Sequence, residues 1–273
     1  MNQLFDLLAE YLREVYFSMK ALLLILLTTI CVMNTPIQAN DTLSQFSTVD
    51  ALIQGIYSGP TTFAEVSKHG DFGLGTVNDL DGEMLLLDGV CYQVTSDGKV
   101  HILPATAQTP FAVVAFFHPE QSSSTPPEKS LAELEQWLEQ HLGSQNYFSA
   151  IRITGTFPMM KVRSVARQQR PYPSLASIVE TQAIFDLKDV QGTLIGFRSP
   201  PFAAGINVPG YHFHFLTDDK QQGGHVLDCS ISSAKASWEH LEKFSVELPN
   251  DPAFAKADLS HHDAAMLKKV EQK

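Results

Sequence analysis

Basic residues are scarce in this chain of 273 residues. Lys and Arg total 19 against 30 Asp and Glu, a formal net charge of −11 with histidine neutral. No broad face can then neutralise a phosphate backbone, which argues against nucleic acid as a partner. An acidic surface keeps a protein soluble but names no substrate. Cysteine is rarer still, three in all, with no CxxC pair, which argues against thiolate ligation of a metal. Cys91 and Cys229 could form one disulfide in an oxidising compartment, although nothing in the sequence says that they meet. Internal repeats and low-complexity tracts are missing. The glycine-rich stretch "GDFGLG" lacks the strand-then-helix setting that a nucleotide phosphate loop needs. What remains is ordinary for a globular protein: 44% hydrophobic and 18% charged residues, enough for a sizeable core.

A long apolar run is also lacking. The segment Met19–Ala39, "MKALLLILLTTICVMNTPIQA", has one Lys, then about 13 apolar residues, short for a membrane span, then Pro36 and a small residue. That order is a secretory signal peptide, with Cys31 inside it. The preceding "MNQLFDLLAEYLREVYFS" fits badly, because Asp6, Glu10 and Glu14 outweigh Arg13 where a signal starts positive. We therefore expect a leader over residues 1–39, with translation starting at Met19. The rival is a cytoplasmic amphipathic helix leading into an anchor. A cleaved leader implies export without stable membrane anchoring; an uncleaved one leaves a cytoplasmic protein.

Beyond the leader, Thr48, Thr62 and Ser130 sit where helix caps belong, Glu65 is at capping-box spacing from Thr62, and Gly70 and Gly143 follow as terminators. From Phe72 the pattern is strand and turn, with Ser-Asp-Gly at 96–98 as a hairpin turn and "FAVVAFF" at 111–117 as a buried strand. A helix is expected over "LAELEQWLEQHL". The second half adds strands at "YFSAIRITGTFPMMKVRSV", "TQAIFDL", "GTLIGFR", "YHFHFLT", "GHVLDCSIS" and "EKFSVELP", then a terminal helix. The expectation is an α+β protein in two sheet-rich halves. Residues 40–145 form a mixed N-terminal sheet, and residues 146–273 an antiparallel, β-barrel-like half that carries a metal site.

The metal expectation comes from "GYHFHFLTDDKQQGGHVLD". His212, His214 and His225 fall within fourteen residues of a chain with ten histidines. On a strand, His212 and His214 point to one face about 7 Å apart, and Phe213 and Phe215 to the other. The polar turn and two glycines let the chain return with His225 on the neighbouring strand. Three neutral nitrogens leave a coordination position open, as in catalytic sites, and suit zinc, iron, nickel or copper. A solvated hairpin is the bland alternative. His69, His141, His261 and His262 read as solvated. Glu83 opens an apolar strand after an Asp-Gly turn, where a carboxylate is costly unless paired or functional. Arg163 lies between valines, on one face with Lys161, and alone would read as a surface stripe.

Taken in order, "GTVNDLDGEMLLLDG", "ITGTFPMMKVRSV", "RPYPSL", "GTLIGF" and "NVPGYHFHFLTDDKQQGGHVLD" resemble successive motifs of the α-acetolactate decarboxylase family, from about residue 45 to the end. The resemblance implies zinc-dependent decarboxylation of 2-acetolactate to acetoin by a homodimer. It implies His212, His214 and His225 as zinc ligands, Glu83 as an active-site carboxylate, Arg163 as a catalytic and substrate-binding arginine, and Thr76 as a substrate-binding residue. Glu271 falls where the family has a second active-site glutamate, with no local motif around it. The leader departs from the many cytoplasmic members. Two other classes stay open: an iron-dependent oxygenase at the same three histidines, and an exported metal-binding protein without turnover.

Overall fold

Helix starts follow the capping residues read from the sequence. In the computed structural model, which describes residues 12–16, 41–127 and 129–271, Thr48 accepts from Ala51 N and Thr62 from Glu65 N. Ser130 and Glu133 complete a capping box at the head of the helix Leu131–Leu142. The expected leader, Met19–Ala39, lies outside the described residues. Residues 12–16 form an exposed helical turn, described by itself. No described helix is long and apolar enough to cross a membrane.

Asn40–Lys273 is one compact unit. Its strands in chain order are β1 (Thr42–Phe46), β2 (Thr61–Thr62), β3 (Phe72–Thr76), β4 (Glu83–Leu87), β5 (Val90–Val94), β6 (Val100–Ile102), β7 (Gln108–Thr109) and β8 (Ala112–Ala115). They continue as β9 (Gln121–Ser124), β10 (Lys129–Ser130), β11 (Phe148–Ser164), β12 (Ala183–Ser199), β13 (Gly210–Thr217), β14 (Gly223–Ile231), β15 (Ser233–Leu241) and β16 (Lys243–Glu247). One sheet has the order β16-β1-β8-β3-β4-β5-β6 and is mixed, because β16 runs parallel to β1. The other has the order β10-β14-β13-β12-β11-β15-β9. An extra β14–β11 pairing, over Met159–Arg163, brings it partly round into a ring. A small ladder joins β2 and β7.

Two expectations are revised. "TQAIFDL" and "GTLIGFR" are one strand, β12, laddered to β11 along its length. The polar "KDVQ" between them lies in the part of β12 where exposed residues predominate, so it mimics a turn while staying in the ladder. "EKFSVELP" does form a strand, β16, but it crosses to the first sheet. Its alternation marks a strand and says nothing about the partner.

The two sheets meet in a core that includes Leu74, Leu85, Ile195, Phe197 and Leu216. A second cluster lies on the far face of β13, where Phe213 and Phe215 pack beneath the helix Leu131–Leu142. Burying each phenyl contributes about 1.5–3 kcal/mol. That burial fixes which face of β13 carries its histidines. Cys91 and Cys229 are free thiols in separate clusters.

Candidate metal centre

The alternation along β13 turns His212 and His214 toward the first sheet, and β14 returns with His225 opposite His214 in register. "GGH" has a steric reason: at Gly224 (φ +142) a Cβ would stand 2.4 Å from the carbonyl oxygen of Arg163. Only glycine lets β14 pass that close to β11. The three rings then sit with centroids 5.1, 5.0 and 5.4 Å apart, all buried. One ring nitrogen from each lies within 4.8 Å of the others.

Carboxylates approach from two sides. Glu83, at the head of β4 and opposite Thr76 of β3, places Oε2 3.5 Å from His214 Nε2. Its Oε1 accepts from Arg163 Nη1 at 2.9 Å. Glu271 closes the terminal helix Ala264–Glu271, with Oε2 3.6 Å from His212 Nε2 and 3.8 Å from His225 Nε2. Its main-chain oxygen is 3.1 Å from His225 Nε2. Thr76 lines the same chamber and donates through Oγ1 to Gly82 O at 2.7 Å. Val49, Leu80, Val165 and Leu175 give the rest of the chamber an apolar lining.

Burial sets the charges. Desolvation, helped by the nearby Arg163 guanidinium, pushes His212 down to about 3, and burial holds His214 and His225 well below the ordinary histidine range. Their approaches to the carboxylates are therefore not ion pairs, because the rings are neutral, as ligation requires. The same desolvation raises Glu83 to about 7 against the pull of Arg163, with Glu271 adding to the rise. Glu271 is raised to about 7 by burial, again opposed by Arg163.

These groups fit a cation. His214 Nδ1 lies 2.9 Å from Met84 O and must donate to it, so the Nε2 lone pair faces the Glu83 carboxyl. Glu271 Oε2 and the Nδ1 atoms of His212 and His225 are buried without a hydrogen-bond partner. Unfilled lone pairs in a dry chamber are costly unless a positive ion or protons satisfy them. Three imidazoles with flanking carboxylates are a borderline metal's donor set.

All seven residues singled out in the sequence line this chamber. Lys161, two residues before Arg163 on β11, does not line the chamber. His262 is exposed, as expected of the tail, yet it is paired. Its Nδ1 is 2.9 and 3.2 Å from the two oxygens of Asp50, a pairing that neither local segment signals. Arg198, also overlooked, is held by Glu139 beside Tyr211.

Among known proteins, a family profile described as α-acetolactate decarboxylase matches residues 43–261. The chain is 42% identical over 234 residues to an α-acetolactate decarboxylase of Methanosarcina mazei, covering 86% of this chain and 81% of that protein. It is 41% identical over 229 residues to that of Brevibacillus brevis, covering 84% and 80%. The crystal structure of α-acetolactate decarboxylase from Bacillus subtilis strain 168 superposes with a TM-score of 0.83 at 35% identity, over 85% of this chain and 100% of that one.

Proposed function

Because the chain belongs to the α-acetolactate decarboxylase family, a family of carboxy-lyases, we propose that it decarboxylates 2-acetolactate to acetoin at the three-histidine centre, with zinc as its resident metal. The observation that carries this is the convergence of Glu83, Arg163 and Glu271 on His212, His214 and His225 from separate elements of the fold. The histidines hold the metal. When bound, zinc supplies Lewis acidity to oxygens that take up negative charge.

Acetolactate bears a carboxylate and a hydroxyl on one carbon beside a ketone. Loss of CO₂ leaves an electron pair that moves onto the ketone oxygen and gives an enediolate. Arg163, buried and fixed by Glu83, presents its planar fork to the substrate anion and to the charge as it develops. Thr76 borders the same space and helps orient the substrate. A carboxyl with a pKa near 7 can hold a proton at neutral pH and deliver it to one face of the enediolate carbon. Glu83 or Glu271 is that donor. Apolar side chains exclude water, strengthening these electrostatic effects.

The test is acetoin release from racemic acetolactate by the full chain, stripped with chelator and reloaded with zinc. Zinc-dependent release that is abolished in His212→Ala supports the reading. Folded, zinc-loaded protein that forms no acetoin would leave a metal-binding protein without turnover. Activity that needs ferrous iron and O₂ would point to an oxygenase. The proposal extends to a homodimer, checked by light scattering, and to export after leader cleavage, checked by sequencing the mature amino terminus.

A further inference from the structure

Glu271 reaches the imidazoles from the end of a short helix, so its placement depends on what holds that helix. The eight residues Ala264–Glu271 span about 12 Å. Leu267 and Val270 are buried, in separate apolar clusters. At the helix start Asp263 accepts from Met266 N at 2.9 Å. The residue just before it, His262, donates from Nδ1 to the carboxylate of Asp50, 2.9 and 3.2 Å from its two oxygens.

Asp50 is the fixed side of this contact. Its side chain is 10% exposed, and a carboxylate so placed is costly unless paired. It belongs to the helix Val49–Ile53, beside Val49 and Leu52 of the chamber wall. Its main-chain N–H donates to Gly205 O at 3.2 Å, and that of Val49 to Ile206 O at 2.9 Å. A side chain at Gly205 (φ +83) would start 2.9 Å from Asp50 Oδ2. Asp50 therefore joins the chamber wall, the segment that leads into β13 and the residue before the terminal helix. The helix has two further polar ties: His225 Nε2 to the main-chain oxygen of Glu271 at 3.1 Å, at its far end, and Lys269 to Glu180 at 2.7 Å, which is solvent-exposed and worth little.

We propose that Asp50 and His262 are positioning residues for decarboxylation: their contact pins the start of the terminal helix, and so aims Glu271 at the histidine cluster. The proposal rests on Glu271 acting in the reaction, and its test separates the two ideas. His262 is at the surface, so His262→Ala should fold. His262→Asn keeps a donor close to the position of Nδ1. Both are made in the full chain, together with Glu271→Gln and the His262→Ala/Glu271→Gln double variant. Each is assayed for kcat and KM, for bound zinc, and for amide exchange over residues 264–271.

The expected result for His262→Ala is a fall in kcat of about tenfold, with KM within about twofold, zinc unchanged and faster exchange in the terminal helix. His262→Asn should recover at least half of kcat. In the Glu271→Gln background His262→Ala should cost nothing further, because the residue acts through the one already removed. Two results overturn the proposal alone: full kcat in His262→Ala while Glu271→Gln is impaired, or losses that multiply in the double variant. Full activity in Glu271→Gln would instead remove the role of Glu271, and the proposal with it.

Discussion

Two buried arginines, Arg163 on β11 and Arg198 on β12, stand in opposite states of satisfaction. Arg198 is bonded through Nε and Nη2 to the two oxygens of Glu139, and through Nη1 to Ser144 O and Tyr147 O. Tyr211 adds a 2.7 Å bond to the same carboxylate. Arg163, equally buried, makes one bond to Glu83, and its Nε is without a partner. The neighbouring histidine nitrogens and Glu271 Oε2 share that condition. Burying a charge is tolerable when every hydrogen-bonding site is filled, which is what ties the helix Leu131–Leu142 to the sheet through Arg198. Arg163, with Nε unpartnered, stands beside carboxyls raised to about 7. One cluster is closed on itself, and the other keeps unfilled sites, which the proposed function assigns to substrate.

Conservative replacement should therefore separate the two arginines by what is lost. Arg163→Lys keeps the charge but loses the fork. We expect kcat/KM to fall by about 10²–10³-fold, with the urea midpoint nearly unchanged. Arg198→Lys should do the reverse. Lysine cannot satisfy four acceptor directions at once, so unfolding free energy should drop by about 2–4 kcal/mol, while kcat per folded molecule stays within twofold. Both variants are read from denaturation curves and from acetoin formation by the metal-loaded enzyme. Equal losses of stability in the two would erase the distinction.

The histidine centre was legible because strand alternation converts HxH into a shared face, and two glycines before a third histidine announce a close-packed return strand. Glu83 could be noticed only as a carboxyl opening an apolar strand. Its link to Arg163, 80 positions away, came from family resemblance. Glu271 had no local signal, since an amphipathic final turn looks the same docked or free. The His262–Asp50 contact joins segments 212 positions apart, and a histidine in a polar tail carries no mark of its partner. Strand β16 shows the same limit at the level of the fold: alternation identifies a strand, whereas partner choice is settled by packing across the whole molecule. Capping residues were the most transferable signals, because they act within one turn of chain.

A third carboxyl refines the contrast without touching the centre. Glu239 on β15 is buried and accepts from His118 N at 3.1 Å. Desolvation first, then the negative charges of Glu120, Asp41 and Asp71, raise it to about 7. With the unfolded group near its ordinary value, the native state holds the extra proton between about pH 4.5 and 7. Its contribution is thus fully present below about 4.5 and lost as pH rises through about 7. Urea unfolding of the parent should show stability declining across that window, with Glu83 and Glu271 acting in the same direction and Glu239 accounting for roughly 1 kcal/mol. Glu239→Gln, which keeps the acceptor, should flatten this part of the decline. An unchanged slope would mean that the carboxylate is adequately solvated where it sits.

The smallest effect is expected from the two thiols. Cys91 packs with Phe46 and Met84 on the face of the first sheet away from the main core, and Cys229 lies with Leu134 and Met160 under the helix Leu131–Leu142. Burial raises both thiols, Cys229 to about 12, so neither carries appreciable thiolate at neutral pH. Two thiols in different clusters cannot be bridged without moving the backbone. The thermal midpoint should accordingly be the same with and without reductant, and both thiols should resist alkylation until the protein unfolds. A midpoint that falls when reductant is added would require these two cores to approach each other. It would also place the polar clusters compared above in a differently packed molecule, since Cys229 shares its strand with His225 and Cys91 pairs with Leu86 on the strand that Glu83 begins.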